Sequence, residues 1–274
     1  MLYSEIRLMF VNCLQEVFAL EYIVEINGLG MKYQSLNGEI NAIENIDLSV
    51  KKGEFISIVG PSGCGKSTLL SIICGLLTPT SGHVLINGKS LRGPSSDVGY
   101  MPQKDHLFDW RTILQNVLLG LEIRKIMTDE NKQYALNLLK TYGLYEFKDK
   151  YPYQLSGGMR QRAALIRTLA TKPEILLLDE AFSALDYQTR LAVTDDIYKI
   201  IKKENKTAIL VTHDISESIS MADRVIVLTS RPARVKNIHE IKFDCENRSP
   251  LSCREAPEFR YYFNAIWKEL DIHV

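Results

Sequence analysis

The sequence has little cysteine, no surplus of either charge and no long apolar run, and each absence argues against a class of protein. Five cysteines occur among 274 residues without a Cys-x-x-Cys pair, so neither a disulfide framework nor a zinc site is expected. Lys and Arg number 33, as do Asp and Glu, and this balance argues against a nucleic-acid partner. No apolar run approaches the roughly 20 residues that span a bilayer.

The first part of the chain shows an apolar periodicity. The residues at helical spacing are Ile6, Met9, Phe10, Cys13, Leu14 and Val17. This pattern predicts an amphipathic helix within an N-terminal extension at residues 1–21. No basic leader precedes an apolar core, so a signal peptide is not expected. Two interpretations remain open: the segment packs on the domain or forms a poorly ordered extension, or it docks on a partner or a membrane surface.

From residue 22 onward, segments typical of strands alternate with helical segments. The strand candidates lie at positions 22–33, 43–50, 54–60, 83–91, 173–180, 207–214 and 224–230. The last three are short, nearly continuous apolar runs, which indicates strands buried on both faces of a parallel sheet. A helical block occupies about residues 112–151, and the polar tail is predicted to end in a helix over residues 259–270.

The stretch GPSGCGKST follows a predicted strand and precedes a predicted helix, which is the context of a phosphate-binding loop. Glycines let backbone N–H groups turn inward around an anion, and the start of the helix adds a partial positive charge. We expect Lys66 to reach the β- and γ-phosphates and the Ser67 hydroxyl to ligate Mg²⁺. The predicted nucleotide-binding residues of this loop are Gly60, Pro61, Ser62, Gly63, Cys64, Gly65, Lys66, Ser67 and Thr68.

Two later strands bring polar side chains to the sheet edge at which parallel sheets bind their ligands. PEILLLDE ends on Asp179, which suits a Mg²⁺ shell, and on Glu180, which suits a general base that aligns the attacking water. TAILVTHD brings His213 to the same edge, where a contact with the γ-phosphate is expected. A solvated turn or a structural histidine is the alternative, and the phosphate loop in the same chain disfavours it.

Further stretches complete a set of motifs in a fixed order. They are Tyr33 ahead of the phosphate loop, Gln103 in GYMPQKD, LSGGMRQR at residues 155–162, and SALD, which ends on Asp186. Together these motifs resemble the nucleotide-binding subunit of an ABC transporter over roughly residues 22–234. The resemblance implies an α/β fold of the P-loop NTPase class, with a RecA-like parallel core, an antiparallel β subdomain and an inserted helical subdomain.

The resemblance also implies boundaries and a role for each motif residue. The ATPase domain is placed at residues 22–230, its helical subdomain at about 104–165, and a tail with a final helix at 231–274. Tyr33 is expected to stack on adenine, Asp186 belongs to the D-loop, and ATP and Mg²⁺ are the implied ligands. The implied catalytic residues are Lys66, Gln103, Glu180 and His213. The implied Mg²⁺ ligands are Ser67, Gln103 and Asp179.

The signature stretch raises a question of stoichiometry, because the chain has only one phosphate loop. Its residues are Leu155, Ser156, Gly157, Gly158 and Met159. In the family that the chain resembles, the signature of one subunit faces the γ-phosphate held by a second subunit. LSGG opens a helical run, so its backbone donors and helix dipole would point outward at an anion. The expected assembly is therefore a head-to-tail homodimer that two ATP molecules close.

Residues 107–125, LFDWRTILQNVLLGLEIRK, resemble importers of nitrate, sulfonate and taurine, although Asp109 stands where proline is common in that group. This implies a bacterial importer of such a solute, of bicarbonate or of a pyrimidine vitamin precursor. Its partners would be transmembrane permease subunits and, indirectly, a solute-binding protein, with the chain at the cytoplasmic face of the membrane. Phe108 and Trp110 either pack within the helical subdomain or line a groove for the permease, and both can hold.

An ATPase that acts on DNA or chromosomes is the alternative. Proteins of that kind normally divide the two halves of the ATPase with a long coiled coil or another large insertion. Only about 52 residues separate Gln103 from Leu155, without a sustained heptad pattern. A ribosome-associated protein with two ATPase domains is disfavoured by the single phosphate loop. The transporter ATPase is therefore the preferred prediction.

Overall fold

The protein is described from a computed structural model that covers residues 22–35, 38–245 and 247–270. The helix predicted within residues 1–21 lies outside these ranges. Among the helices of the described ranges, none is both long enough and apolar enough to cross a membrane.

Strands and helices alternate along most of the described chain. The strands are β1 (Tyr22–Ser35), β2 (Gly38–Lys51), β3 (Phe55–Val59), β4 (Ser81–Ile86), β5 (Lys89–Ser90), β6 (Val98–Met101), β7 (Ile175–Asp179), β8 (Thr207–Val211), β9 (Arg224–Leu228) and β10 (Val235–Glu240). The helices are α1 (Lys66–Ile73), α2 (Ile113–Ile123), α3 (Asp129–Thr141), α4 (Gly157–Leu169), α5 (Tyr187–Lys203), α6 (Ile215–Met221), α7 (Pro250–Glu255) and α8 (Pro257–Glu269). Short 3-10 turns at Tyr145–Phe147 and Pro152–Gln154 precede α4.

The strands form two sheets of different type. A four-stranded antiparallel sheet has the order β2-β1-β4-β5, and a six-stranded sheet has the order β10-β9-β3-β8-β7-β6. Within the larger sheet, every neighbouring pair from β9 to β6 is parallel, and β10 pairs antiparallel with β9. The predicted combination of a parallel core and an antiparallel subdomain is therefore confirmed.

Side chains of the parallel strands alternate between two apolar clusters, because successive residues of a strand point to opposite faces. On β7, Leu176 and Leu178 pack with the helices α2 to α4, whereas Ile175 and Leu177 pack with α1 and the antiparallel sheet. Burial on both faces explains the unbroken apolar run of this strand. It also leaves Asp179 as the first polar side chain, at the carboxyl end of the sheet.

Helices α2, α3 and α4 form the helical insertion between β6 and β7. A capping box starts α2, in which the Thr112 side chain accepts from the Gln115 backbone and the Gln115 side chain accepts from the Thr112 backbone. The buried Asn116 side chain accepts from the Phe108 backbone N–H at 2.7 Å and donates to the Phe108 carbonyl at 3.1 Å. These bonds fix the loop that carries Phe108 and Trp110.

Two strands that the sequence pattern does not predict form the edges of the larger sheet. β6 is only four residues long, and β10 has the polar sequence VKNIHE and is mostly exposed, so neither shows the apolar run of a central strand. The predicted final helix is present as α8. The domain boundary at residue 230 stays a prediction. β10 lies beyond that residue and pairs with β9 in the larger sheet.

Candidate nucleotide-binding and hydrolysis site

The predicted phosphate loop connects β3 to α1. Gly63 and Gly65 have φ angles of 70° and 128°, a region that side chains other than glycine rarely adopt. A Cβ on Gly65 would also lie 3.0 Å from the carbonyl oxygen of Ala42. Lys66 is 6% exposed, and its Nζ donates to the Gly60 carbonyl at 2.8 Å. The ammonium group therefore lies folded over the loop, where an anion bound by the backbone N–H groups would meet a fixed positive charge.

An open cavity of about 400 Å³ lies against this loop, and its wall also includes Tyr33, Arg231 and Glu180. The Tyr33 hydroxyl donates to Thr68 Oγ1 at 3.3 Å, which places its ring at the rim of the cavity. Arg231 Nη2 donates to the Gly63 carbonyl at 2.7 Å. One predicted loop residue, Cys64, points into the apolar core instead. The cavity thus combines an aromatic ring, a cation and the phosphate loop, which suits a nucleotide.

Ser67, which lines the cavity, contacts Asp179. Ser67 Oγ donates to Asp179 Oδ1 at 3.2 Å. Two neighbouring ligands of an octahedral Mg²⁺ stand about 2.9 Å apart, so these two oxygens already have nearly the required separation. No cluster of three or more His, Cys, Asp or Glu side chains suited to a metal occurs among the described residues. A magnesium ion held here would therefore need substrate oxygens as well, as is usual for Mg²⁺ at phosphates.

The other oxygen of Asp179 has a partner that the motif analysis missed. The Tyr100 hydroxyl, on β6, donates to Asp179 Oδ2 at 2.9 Å. Burial, and then the neighbouring Asp179 carboxylate, raise the pKa of Tyr100 above its ordinary value. The phenol therefore stays protonated and is the donor of this bond.

Glu180 is the centre of a second polar cluster. Its Oε2 accepts from Gln103 Nε2 at 3.1 Å and lies 3.4 Å from His213 Nδ1. Gln103 Nε2 also donates to Ser183 Oγ at 3.2 Å. The backbone of Glu180 has a φ of 46°, and its N–H donates to the Val211 carbonyl at 2.8 Å. Strain of this kind in a residue other than glycine is typical of functional sites, and the bond to β8 holds the carboxylate at the edge of the sheet.

The signature stretch takes no part in the wall of this cavity among the described residues. Ser156 is the exposed N-cap of α4, and its Oγ accepts from the Met159 N–H at 3.3 Å. Gly158 is buried against α5, and Gly157 is half-buried beside Leu185. Leu155 is buried in the apolar cluster of the helices. One chain therefore does not bring its own signature to its own phosphate loop.

Asp186 of the D-loop caps the next helix. Its Oδ1 accepts from the Thr189 N–H at 3.0 Å at the start of α5. This bond holds the pKa of Asp186 below its usual range. The side chain is exposed, so it is available to a second molecule.

Tyr100 and Arg231 reach the site although no motif singled them out. Tyr100 lies three positions before Gln103, and strand alternation could have placed it on the Asp179 face had β6 been recognised. Arg231 belongs to the segment after β9, and only the return of the chain past the phosphate loop brings its side chain to Gly63.

Comparisons with known proteins give the class of the chain. The family model described as ABC transporter matches residues 43–183. YtlC of Bacillus subtilis, an uncharacterized ABC transporter ATP-binding protein, is 48% identical over 87% of this chain and 92% of its own length. The taurine import ATP-binding protein TauB of Roseobacter denitrificans is 38% identical over 89% of this chain and 94% of its own length.

Solved structures agree with these sequence matches. The ATP-binding cassette MJ0796, in a dimeric post-hydrolysis state bound to ADP and Pi, has a TM-score of 0.68 and 34% identity over 80% of this chain and 99% of that chain. CbiO1 of Clostridium perfringens, part of the ABC transporter complex cbiONQ, has a TM-score of 0.70 and 28% identity over 81% of this chain and 90% of that chain. Sequence and fold therefore point to the same class of protein.

Proposed function

The chain belongs to the ABC transporter family and is of the ATP-hydrolysing subunit type. On that premise we propose that it drives the import of a small solute into a bacterial cell. The predicted fold class and the predicted ATPase activity are confirmed. YtlC, TauB and CbiO1 are each named as parts of transporters, so we set aside the alternative of a DNA-linked ATPase.

One observation carries the proposed chemistry: two separate polar clusters meet beside the phosphate loop. The first joins Ser67 to Asp179, and the second joins Gln103 and His213 to Glu180. The clusters are adjacent because Asp179 ends β7 and Glu180 follows it directly. This supports a mechanism in which the Asp179 carboxylate ligates a metal and the Glu180 carboxylate activates water.

Each residue then has a role that its position suits. Glu180 would act as the general base that orients and deprotonates the attacking water, and Gln103 and His213 would hold its carboxylate beside the γ-phosphate. Lys66 would offset the charge of the β- and γ-phosphates, and Tyr33 would stack on the adenine ring. Ser67 and Asp179, with Gln103, would hold Mg²⁺, which would offset the charge that develops on the phosphate oxygens.

The catalytic unit in this proposal is a pair of chains. Ser156 is exposed at the start of α4, and Asp186 is exposed at the start of α5. In a head-to-tail homodimer, residues 155–159 of one chain would cover the γ-phosphate held by the other, so that each ATP lies between two chains. ATP would close the dimer and hydrolysis would open it, because only the triphosphate engages both surfaces.

The solute is proposed from residues 107–125 and from relatives such as TauB. We infer an importer of the nitrate, sulfonate and taurine group, with bicarbonate or a pyrimidine vitamin precursor as further members of its solute class. The chain would lie at the cytoplasmic face of the membrane, bound to permease subunits that receive solute from a binding protein. Trp110, 74% exposed, would contact the permease.

The test of hydrolysis uses Glu180→Gln, which keeps the shape of the side chain and removes the base. Turnover should fall by at least about 100-fold, while ATP remains bound and holds the chain as a dimer in size-exclusion chromatography. Glu146→Gln, at an exposed carboxylate outside the site, is the control and should retain full turnover. Normal hydrolysis by Glu180→Gln would show that the base is another group.

The test of the shared site adds Ser156→Ala to the Glu180→Gln chain. The ATP-held dimer should be lost, while the affinity of the monomer for ATP stays within about twofold. Thr128→Ala removes the equivalent cap from α3, so it controls for the loss of about 1 kcal/mol of capping energy. A dimer that survives Ser156→Ala, or an equal loss of ATP binding by the monomer, contradicts the arrangement in trans.

The test of the solute uses the complex of the chain with its permease in vesicles. Each candidate solute is added with the solute-binding protein, and the stimulation of ATP hydrolysis is measured. Stimulation by taurine, an alkanesulfonate, nitrate, bicarbonate or a pyrimidine precursor identifies the cargo. A response only to solutes outside these classes would show that the group was assigned wrongly.

A further inference from the structure

We propose that Tyr100 is a positioning residue for the magnesium-dependent step, acting through the Asp179 carboxylate. Its hydroxyl donates to Asp179 Oδ2 at 2.9 Å, while Ser67 Oγ donates to Oδ1 of the same carboxylate at 3.2 Å. Each oxygen of Asp179 thus has one fixed donor. The proposal rests on the proposed function, in which Ser67 and Asp179 hold Mg²⁺.

The strand register explains how Tyr100 reaches this carboxylate. β6 and β7 pair in parallel, with Tyr100 opposite Leu177. Asp179 lies two residues after Leu177, so it shares a face of the sheet with Tyr100 and is its diagonal neighbour. A diagonal neighbour is too distant for a short side chain, but it lies within reach of a tyrosine hydroxyl.

The ring of Tyr100 is itself held in place. It is half-buried and packs against the apolar cluster that contains α1 and the β7 residues Ile175 and Leu177. The hydroxyl therefore has little freedom to move, and forming its hydrogen bond costs little further side-chain entropy. A residue presented in this way can orient the group that it contacts.

Orientation of Asp179 matters because the last torsion of an aspartate is soft. The plane of the carboxylate can therefore tilt over a broad range of angles at little cost, whereas Mg²⁺ demands near-ideal octahedral geometry. The bond from Tyr100 fixes the tilt of this plane, so that one oxygen faces Tyr100 and the other faces Ser67. Hydrogen-bond partners of this outer kind are worth 10- to 100-fold in metal affinity at other metal sites.

The chain offers a matched control for the loss of such a bond. The Tyr142 hydroxyl, just after α3, donates to Glu204 Oε1 at 2.6 Å, and Tyr134 donates to the other oxygen of the same carboxylate at 3.1 Å. Tyr142→Phe therefore removes one of two donors from a carboxylate, as Tyr100→Phe does, but outside the nucleotide cavity. A general effect of losing a tyrosine hydroxyl would appear equally in both variants.

The experiment measures nucleotide binding by the full chain rather than turnover. A non-hydrolysable ATP analogue is titrated in excess EDTA and again in saturating Mg²⁺. The dissociation constant in EDTA divided by the dissociation constant in Mg²⁺ reports the contribution of the metal. Tyr100→Phe should lower this ratio by about 10-fold or more. Its affinity in EDTA should stay within about twofold of the unchanged chain, and its melting temperature should match that of Tyr142→Phe.

Asp179→Asn separates this inference from the proposed function. If Asp179→Asn lowers the ratio and Tyr100→Phe leaves it equal to that of Tyr142→Phe, the positioning role is refuted and the metal site stands. If Asp179→Asn leaves the ratio unchanged, Asp179 is not a Mg²⁺ ligand, and the metal site of the proposed function fails together with the positioning role. A Tyr100→Phe chain whose affinity falls equally in EDTA and in Mg²⁺ also refutes the positioning role, since the residue then acts on the nucleotide or on the fold.

Discussion

Glu217 is a buried carboxyl that contacts Thr212, the residue before His213. Glu217→Gln should make the protein more stable above neutral pH. The residue is 2% exposed, and Glu217 Oε2 accepts from Thr212 Oγ1 at 2.7 Å. Burial raises the pKa of Glu217 to about 7, assisted by Asp214 and opposed by the Thr212 bond. The positive charges of Arg190 and Arg254 oppose the rise in this pKa as well.

The sign of the effect follows from the two states of the chain. Below the ordinary pKa of 4.5, Glu217 is protonated in the folded and the unfolded protein, and it imposes no penalty. As the pH rises from 4.5 to 7, the unfolded chain releases this proton while the folded chain retains it, so the folded state loses stability. Above a pH of about 7, the full penalty for a rise from 4.5 to about 7 is about 3 kcal/mol.

Urea unfolding of the two proteins at pH 5 and pH 8 measures this penalty. Glutamine keeps an acceptor for Thr212 and cannot ionise, so the variant should gain about 2 to 3 kcal/mol relative to the unchanged chain between the two pH values. Glu146→Gln, at an exposed carboxylate, controls for the removal of one charge. A difference in unfolding free energy that is the same at pH 5 and pH 8 would refute the raised pKa.

Two further substitutions test an exposed ring and a buried helix contact. Trp110→Ser should keep basal ATP hydrolysis within about twofold but weaken binding to the permease by at least about 10-fold in a pull-down, because Trp110 is 74% exposed beside Phe108. Tyr261→Ser, at a ring that is 72% exposed on α8, should bind normally, and equal losses in the two variants would contradict a permease contact at Trp110. Gly158→Ala should lower the free energy of unfolding by about 1–3 kcal/mol, since its Cβ would lie 2.7 Å from Val193 Cγ2. Adding Val193→Ala removes that contact, so urea unfolding of the double variant should show less than the sum of the two losses, and a simple sum would rule out the clash.

The central strands and the phosphate loop could be predicted because their causes are local. A strand buried on both faces must be apolar throughout, as β7 is, and a loop that cradles an anion requires glycine where φ is positive, as at Gly63 and Gly65. β10 lacks this constraint because most of its residues are exposed. β10 is therefore polar enough to resemble a loop, and β6 is too short to show a period.

The motif residues were predicted one by one, but their hydrogen-bond partners were not. The position of Glu180 after a strand predicts a base, whereas its bond from Gln103 depends on two segments far apart in the chain. Tyr100 has an ordinary place in a strand, and its bond to Asp179 exists only because β6 pairs with β7 in one register.

Residue types in sequence are enough to predict a phosphate loop, the carboxylates of Asp179 and Glu180 at the end of a strand, and a second phosphate-binding stretch in the signature. Those features depend on neighbours within a few positions, where backbone geometry and burial constrain the choice of residue. The orientation of Asp179, the raised pKa of Glu217 and the absence of residues 155–159 from the wall of the cavity depend on packing between distant segments. Only the folded chain brings those segments together, because strand register and the pairing of edges are set by the whole sheet.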